Sequence, residues 1–372
     1  MRITRLEAIP YNLPVARVAR FGSGARERAD HVLVRVHTDE GIFGQAEAQP
    51  RPYTYGETQE SIVSAVAGRL HEAIAGLDPI AHELIAERCA ALAGNYVARG
   101  AVDLAVWDLV GKLLQRPCRE LLGGYASDVA AAHMVSYNAP AAMAQEAVEF
   151  HERYGVRSFK VKVGRSVETD LASVTAIREA LPDAQLYVDA NRGWSYSDAV
   201  RAGESLIDIG VLAIEEPISM EDREGRRRLA ERWSVPLVGD ESCISLAHVA
   251  REAAGGAVRT VSLKAARTGF TESRRILDFC LGLGMPLIVG SQYEGALGAL
   301  ATAALACAFA ATAGHPAEVM NYTDLADDIL DGEIAVSGGR LAAPEKPGLG
   351  FEVDEDKLAH YRLDESRTVA VA

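Results

Sequence analysis

The sequence predicts an α/β chain: a (β/α)8 barrel of TIM type joined to a smaller α+β capping domain. Three observations predict it. From about Val129 onward, short apolar runs alternate with helical stretches, the pattern of parallel strands buried on both faces. Charged side chains end five of those runs at intervals of 27, 26, 25 and 24 residues: Lys162 in FKVKVG, Asp189 in LYVDAN, Glu215 in LAIEEP, Asp240 in PLVGDES and Lys264 in TVSLKAARTG. Each interval is about what one strand, one helix and two loops require. Residues 1 to about 125 do not follow that repeat and read as a separate unit.

A chain of 372 residues accommodates one large and one smaller domain, at roughly 100–200 residues per domain. In the first part, 1–125, Ile3–Ile9 and His31–His37 alternate as strands do, and Asp39-Glu40-Gly41 turns the chain into Ile42–Ala48. Helical stretches follow at Glu57–Ala75, Pro79–Ala93 and Tyr96–Leu114, so an antiparallel sheet precedes its helices. The second part, 126–323, supplies barrel strands at His133–Tyr137, Ser158–Val163, Gln185–Asp189, Val211–Glu215, Pro236–Asp240, Thr260–Lys264, Pro286–Val289 and Ala317–Asn321. The third, 324–372, turns to Gly, Pro and short pieces such as EIAVSGGRL and PGLGFEV, ending in a helix over Asp354–Tyr361. These pieces are too short to stand alone; they are expected to return to the capping domain or to pack under the barrel.

Composition narrows the function classes. With 52 acidic against 38 basic residues the formal charge is −14, which on average repels a nucleic-acid backbone or an anionic membrane surface. Five scattered cysteines without a C-x-x-C pair fit a reducing, cytoplasmic compartment. Pro10, Pro14 and several arginines interrupt the N-terminus before an apolar signal region develops. Gly295–Gly314 carries no charge and is long enough to span a bilayer, but its Ala, Gly and Thr content suits a buried barrel helix.

In a parallel barrel the loops at the carboxyl ends of the strands build the active site. Asp189, Glu215 and Asp240 end three consecutive strands, and three carboxylates that close repel unless a cation neutralises them. A hard divalent ion, Mg2+ or Mn2+, takes such oxygen ligands. The plainer reading of each Asp is an N-cap of the following helix, a role for which Glu215 is poorly suited. Glu216 and Glu241, one residue on, are expected to face away from the mouth by strand alternation. Lys160 and Lys162 project to one side of the second strand, and their mutual repulsion beside a cation predicts a depressed pKa and a general base. Lys264 ends the sixth strand, across the mouth from them. A base on either face of a carbon next to a cation-bound carboxylate suits proton transfer, because the cation stabilises the enediolate formed on deprotonation.

At these residues the chain resembles the enolase superfamily and, within it, the muconate lactonizing enzyme subgroup. KVK on the second strand, Asp, Glu and Asp on the next three, and Lys on the sixth match that subgroup's pattern. A mandelate-racemase-type site would place a His–Asp pair on the seventh and sixth strands, whereas PLIVGSQYEG here has no histidine. The stretches RPYTYGETQ, LGGY, VDANRGWS, KAARTGFT and DKLAHYR look like muconate cycloisomerases of actinobacterial type. The resemblance implies a modified, enolase-like barrel, metal ligation by Asp189, Glu215 and Asp240, acid/base roles for Lys162 and Lys264, and charge neutralisation by Lys160. It places Asn191, Ser291, Glu294 and Glu318 around a small carboxylate substrate. Glu318 also has the plainer reading of a partner for Lys264. Phe21–Gly24 and Arg51–Tyr55 match specificity loops in position, and a homo-oligomer is implied. The implied reaction is cycloisomerisation of cis,cis-muconate to muconolactone. Dipeptide epimerisation, N-acylamino-acid racemisation and o-succinylbenzoate synthesis suit the same five residues, and a binding barrel without catalysis has no need of them all.

Overall fold

The structure, a computed structural model, describes residues 1–21, 24–26, 28–363 and 369–370. Strands β1 (Ile3–Leu13), β4 (Ala29–Thr38) and β5 (Phe43–Ala48) form an antiparallel sheet, with a small hairpin of β2 (Ala19–Phe21) and β3 (Gly24–Arg26) beside it. Gly22 and Ser23 of the Phe21–Gly24 loop lie outside the described residues. Strand β1 runs four residues beyond its expected end at Ile9, past Pro10, and pairs with β4 as far as Leu13↔Ala29. The Pro10 carbonyl accepts from Leu363 N at 2.9 Å, so the nitrogen that lacks a hydrogen also faces away from β4 and the ladder survives.

Helix Tyr96–Leu114 is buried along most of its length because it lies between this sheet and the barrel helix Ala265–Gly282. Its approach to β5 is so close that a Cβ on Gly44 would lie 2.0 Å from Ala105 O. Asp108 on that helix is fully buried; it accepts from Gln45 N at 2.8 Å and Leu349 N at 2.7 Å and pairs with Lys112 at 2.8 Å. One carboxylate thus ties the sheet, the helix and the C-terminal segment.

The barrel consists of β6 (Asp128–Val135), β7 (Ser158–Lys162), β8 (Gln185–Asp189), β9 (Ile214–Glu215), β10 (Leu237–Gly239), β11 (Thr260–Leu263), β12 (Leu287–Val289) and β13 (Ala317–Glu318). Strands β6 to β12 pair in sequence order and in parallel, and β13 pairs back onto β6 at Ala317↔Ala131. After β13 comes a 3-10 turn, Asn321–Asp324, rather than a barrel helix.

The uncharged stretch forms helix Ala296–Ala308, buried at every residue. Its small side chains admit the capping domain: Glu47 of β5 accepts from Gly295 N at 2.8 Å and Gly298 N at 3.1 Å, at the helix N-terminus. Among the described residues no helix is long and apolar enough to cross a membrane. The C-terminal segment goes both ways. Strands β14 (Val336–Ser337) and β15 (Arg340–Ala342) extend the barrel sheet, β15 pairing with the start of β6. Helix Glu355–Tyr361, capped by Asp354, and β16 (Val369–Ala370) pack on β1.

Asp108→Ala removes the acceptor of two buried N–H groups and the partner of Lys112. The expected loss is about 2–4 kcal/mol of folding stability, read as a lowered urea midpoint, and a change within error would show that the junction is held elsewhere.

Candidate active site

Register places the charged strand ends. Lys162 stands opposite Asp189, and Asp189 opposite Glu215; Glu215 stands opposite Val238, so Asp240 follows two residues further along the same face. Lys264 follows directly on β11 and opens the helix Ala265–Gly282. All five side chains are buried, and Lys162, Asp240 and Lys264 line the mouth where β7 to β11 end.

They form one interlocked charge network. Lys160 Nζ donates to Glu215 Oε1 at 2.7 Å and Glu318 Oε1 at 2.9 Å, and lies 3.4 Å from Asp189 Oδ2. Lys162 Nζ donates to Asp189 Oδ2 at 2.5 Å and Asn191 Oδ1 at 3.0 Å. Lys264 Nζ donates to Asp240 Oδ2 at 2.6 Å, while Arg267 Nη1 donates to Asp240 Oδ1 at 2.6 Å and to Tyr55 OH of the capping domain at 2.8 Å.

The electrostatics follow from these contacts. Burial pulls the Lys160 pKa down, but Glu215, Glu318 and Asp189 more than reverse it and hold the ammonium form well above the ordinary range. Lys264 is likewise raised, burial being overcome chiefly by Asp240. At Lys160 the depressed pKa read from the KVK pattern is not what this arrangement holds: its ammonium touches Glu215 and Glu318, and attraction at under 3 Å outweighs lysine–lysine repulsion. Burial pushes the Asp189 and Asp240 carboxyls up, and the neighbouring cations bring both below the usual range. Glu215 is raised, by burial first and by its acidic neighbours against Lys160.

Two further expectations change. Glu318 pairs with Lys160 rather than Lys264, and also accepts from Tyr187 OH at 3.0 Å and Ser291 N at 3.1 Å. Glu241 lines the mouth instead of facing away, because the backbone leaves strand geometry at Asp240 (φ −121°, ψ −81°) and a 3-10 turn begins, ending the alternation. Its carboxylate accepts from Asn191 Nδ2 at 3.2 Å and its pKa is pushed up to about 7, by burial and then by Asp240. Glu216 does face away. Its Oε1 accepts from Asp240 N at 2.7 Å and Ser242 N at 2.9 Å, and its Oε2 from the fully buried Arg226 at 2.5 Å, so it holds the turn that carries Asp240.

Above the network lies a small cavity that opens to solvent. Lys160, Lys162, Lys264, Asn191, Ser291 and Glu318 line it, as do Arg51 and Tyr55 of the capping loop. Glu294 does not line it; it is buried behind the wall and accepts from Gln292 N at 2.8 Å. Sequence reasoning missed Gln292, Tyr293 and Asn321 on the wall, and Arg267 beneath it. Arg267 was legible in principle, one helical turn after Lys264.

Among the described residues no three acidic, His or Cys side chains are gathered as a ready cation site, because the ammonium groups supply the countercharge. The donor set nonetheless fits a hard divalent ion: three carboxylates end adjacent strands, and Glu215 Oε2 is buried without a hydrogen-bond partner.

Comparison with known proteins shows the family and the fold. Two family models match, "Mandelate racemase / muconate lactonizing enzyme, N-terminal domain" over residues 7–123 and "Enolase C-terminal domain-like" over 142–357. The structure is similar to that of a muconate lactonizing enzyme from Mycobacterium smegmatis complexed with muconolactone. Identity is 43%, the TM-score is 0.96, and the match covers 98% of this chain and 100% of that one. Muconate cycloisomerase 1 of Pseudomonas putida is 32% identical, over 96% of this chain and 98% of its own. A hydrophobic dipeptide epimerase of Enterococcus faecalis is also 32% identical, over 83% of this chain and 88% of its own.

Arg226→Met leaves the Glu216 carboxylate buried without its cation. The expected cost is about 3–5 kcal/mol by chemical denaturation, partly recovered in Arg226→Met/Glu216→Gln. Strict additivity of the two changes would show that this pair does not hold the Asp240 turn.

Proposed function

The chain belongs to the mandelate racemase/muconate lactonizing enzyme family of the enolase superfamily, an enzyme family, and we propose that within it this protein is a metal-dependent muconate cycloisomerase. The observation that carries the reading is the pair Lys162 and Lys264, which line one small cavity from strands on either side of three carboxylates. Likeness over 98% of the chain to an enzyme solved with muconolactone supports the substrate.

In this reading Asp189, Glu215 and Asp240 hold one divalent cation, Mg2+ or Mn2+. Bound there, the cation supplies electrophilic stabilisation of negative charge developing on a substrate carboxylate. The remaining work falls to the protein's own groups. One carboxylate oxygen of cis,cis-muconate forms a C–O bond at the carbon β to the other carboxylate, and the electron pair of that carbon's C=C bond moves towards this other carboxylate, the second double bond being retained. A lysine ammonium, Lys162 or Lys264, then gives its proton to the α-carbon, completing muconolactone without loss or gain of atoms. Lys160, bridging Glu215 and Glu318, keeps the floor of the site positive towards the substrate carboxylate. Asn191 orients Lys162, and Ser291 and Glu318 form the opposite wall. Glu294 supports that wall from behind through Gln292 N. The enzyme would work in the cytoplasm as a homo-oligomer.

The competing reading is epimerisation of a dipeptide, which a two-lysine site performs equally well and which the E. faecalis relative's name records for that protein. Proton NMR of the product from cis,cis-muconate in D2O, run beside an L-Ala-L-Glu incubation, separates the two. Deuterium in muconolactone is expected, and exchange into the dipeptide alone would replace this reading.

Lys162→Ala and Lys264→Ala should each lower kcat by about 10²–10⁴-fold, the usual range for general acid–base groups. Near-normal turnover in both variants would overturn the mechanism. Dialysis against a chelator is expected to abolish activity, with recovery on adding Mg2+ or Mn2+.

A further inference from the structure

Lys162 and Lys264 stand beside turns that different buried groups hold. Behind Lys264, the turn that carries its partner Asp240 is fastened by Glu216 and Arg226. Behind Lys162 the corresponding place is taken by Asp170 of helix Val167–Ala180, a fully buried residue outside the charge network of the mouth. A single oxygen, Oδ2, accepts from Gly164 N at 2.8 Å and Arg165 N at 3.2 Å, two and three residues after Lys162. It also accepts from Trp194 Nε1 at 2.9 Å, three residues after Asn191.

The plainer readings of Asp170 are an ion pair with Arg165 and a contact at a helix start. Arg165 Nε lies 4.0 Å from Oδ1 and its two terminal nitrogens both donate to Asn138 O, so the ion pair adds little. A helix-start contact accounts for the Gly164 and Arg165 amides but not for Trp194, an indole brought from the next strand-and-helix unit. The two turns that meet at Asp170 also fit each other closely. Gly164 has φ +105°, and a Cβ there would lie 2.4 Å from Ala190 O; a Cβ on Gly193 would lie 2.4 Å from Gly164 O. Between Ala190 and Gly193, Asn191 and Arg192 both sit in the left-handed region, at φ 43° and 67°, which persists in such residues only where the surroundings enforce it. So placed, Asn191 Oδ1 accepts from Lys162 Nζ at 3.0 Å.

We propose that Asp170 is a positioning residue for Lys162: by fastening the turn after β7 to the turn after β8 through Trp194, it sets Lys162 Nζ against Asn191 and Asp189, and it has no such hold on Lys264. The two lysines are then supported independently, and a change at Asp170 affects one face of the reacting carbon and not the other. The inference rests on the reading of Lys162 as an acid/base group.

Asp170→Asn and Trp194→Phe test it, the second keeping an aromatic ring and removing the donor. Brief reductive methylation of the folded, Mg2+-loaded protein, read peptide by peptide by mass spectrometry, gives the labelling of Lys162 relative to Lys264 in the same molecules. In both variants that ratio is expected to rise about fivefold, the factor that corresponds to one ordinary hydrogen bond. A wild-type ratio in either variant overturns the proposal, because general loosening of the mouth exposes both lysines alike. The second measurement is deuterium exchange at the methylene carbon of muconolactone next to its free carboxylate, whose two hydrogens are distinct by NMR. The hydrogen whose exchange Lys162→Ala slows should exchange about 10- to 100-fold more slowly in Asp170→Asn, a misplacement of about 1 Å costing the upper figure. The hydrogen that Lys264→Ala slows should keep its wild-type rate, and equal slowing of both overturns the proposal. A shifted labelling ratio in a protein that exchanges neither hydrogen keeps the role of Asp170 and loses the muconate reading; exchange by the wild type with an unshifted ratio does the reverse.

Discussion

Three carboxylates at the ends of adjacent buried strands repel one another, and nothing else in the mouth can be arranged until positive charge stands among them. That repulsion is stronger in a buried, low-dielectric site than in water. Lys160 answers part of it, touching Glu215 and lying 3.4 Å from Asp189 while it also bonds Glu318, and it is almost wholly inaccessible to solvent. Lys162 and Lys264 each take one further carboxylate oxygen, with Arg267 on the remaining oxygen of Asp240. The same neutralisation explains why Lys160 and Lys264 are held in the ammonium form and why one oxygen of Glu215 is left over: the cations reach every carboxylate but not every lone pair.

A second set of buried carboxylates joins the two domains by a different device. Glu47 from the capping sheet accepts from the first N–H groups of helix Ala296–Ala308, and Asp103 from helix Tyr96–Leu114 accepts from Phe270 N at 2.6 Å and Thr271 N at 3.0 Å, beyond the kink at Gly269. Each uses unsatisfied donors at a helix start, where negative charge is favoured, so the cap is fastened to barrel helices that leave the active-site strands. The Glu47 contact lies one residue after Glu294, and the Asp103 contact three residues after Arg267. Fastening the domains therefore also fixes the wall and floor of the cavity.

The barrel and its five charges were legible because they rest on periodicities the chain cannot avoid: strand alternation, the length of one strand-and-helix unit, and charge at a strand's end. Lys160, Lys162, Asp189, Glu215 and Asp240 fall on one face by parity alone. What parity could not give was anything beyond the last strand residue. Glu241 turned inward because a 3-10 turn replaced the strand, and Glu318 met Lys160 because β13 closes onto β6, a contact 158 residues apart in sequence. The length of β1 was misjudged because proline was read as a stop, without knowledge of which side of the strand would be open.

These two levels of legibility correspond to two levels of function. In the proposed reading, the side chains that act on the reacting carbon sit at strand ends, where register fixes them and substitution disturbs the charge network. Side chains that meet the rest of the ligand sit on the capping loop and on the segment after β12, where Arg51, Tyr55 and Gln292 can change without unsettling Asp189 or Lys160. A fold divided in this way keeps one half-reaction while changing its substrate. That division accounts for relatives at the same 32% identity carrying names as different as a cycloisomerase and a dipeptide epimerase. On the proposed reading it also locates the decision between them: the strand ends would set how a proton is moved beside a carboxylate, and the loops of the cavity's far wall which molecule is there to receive it.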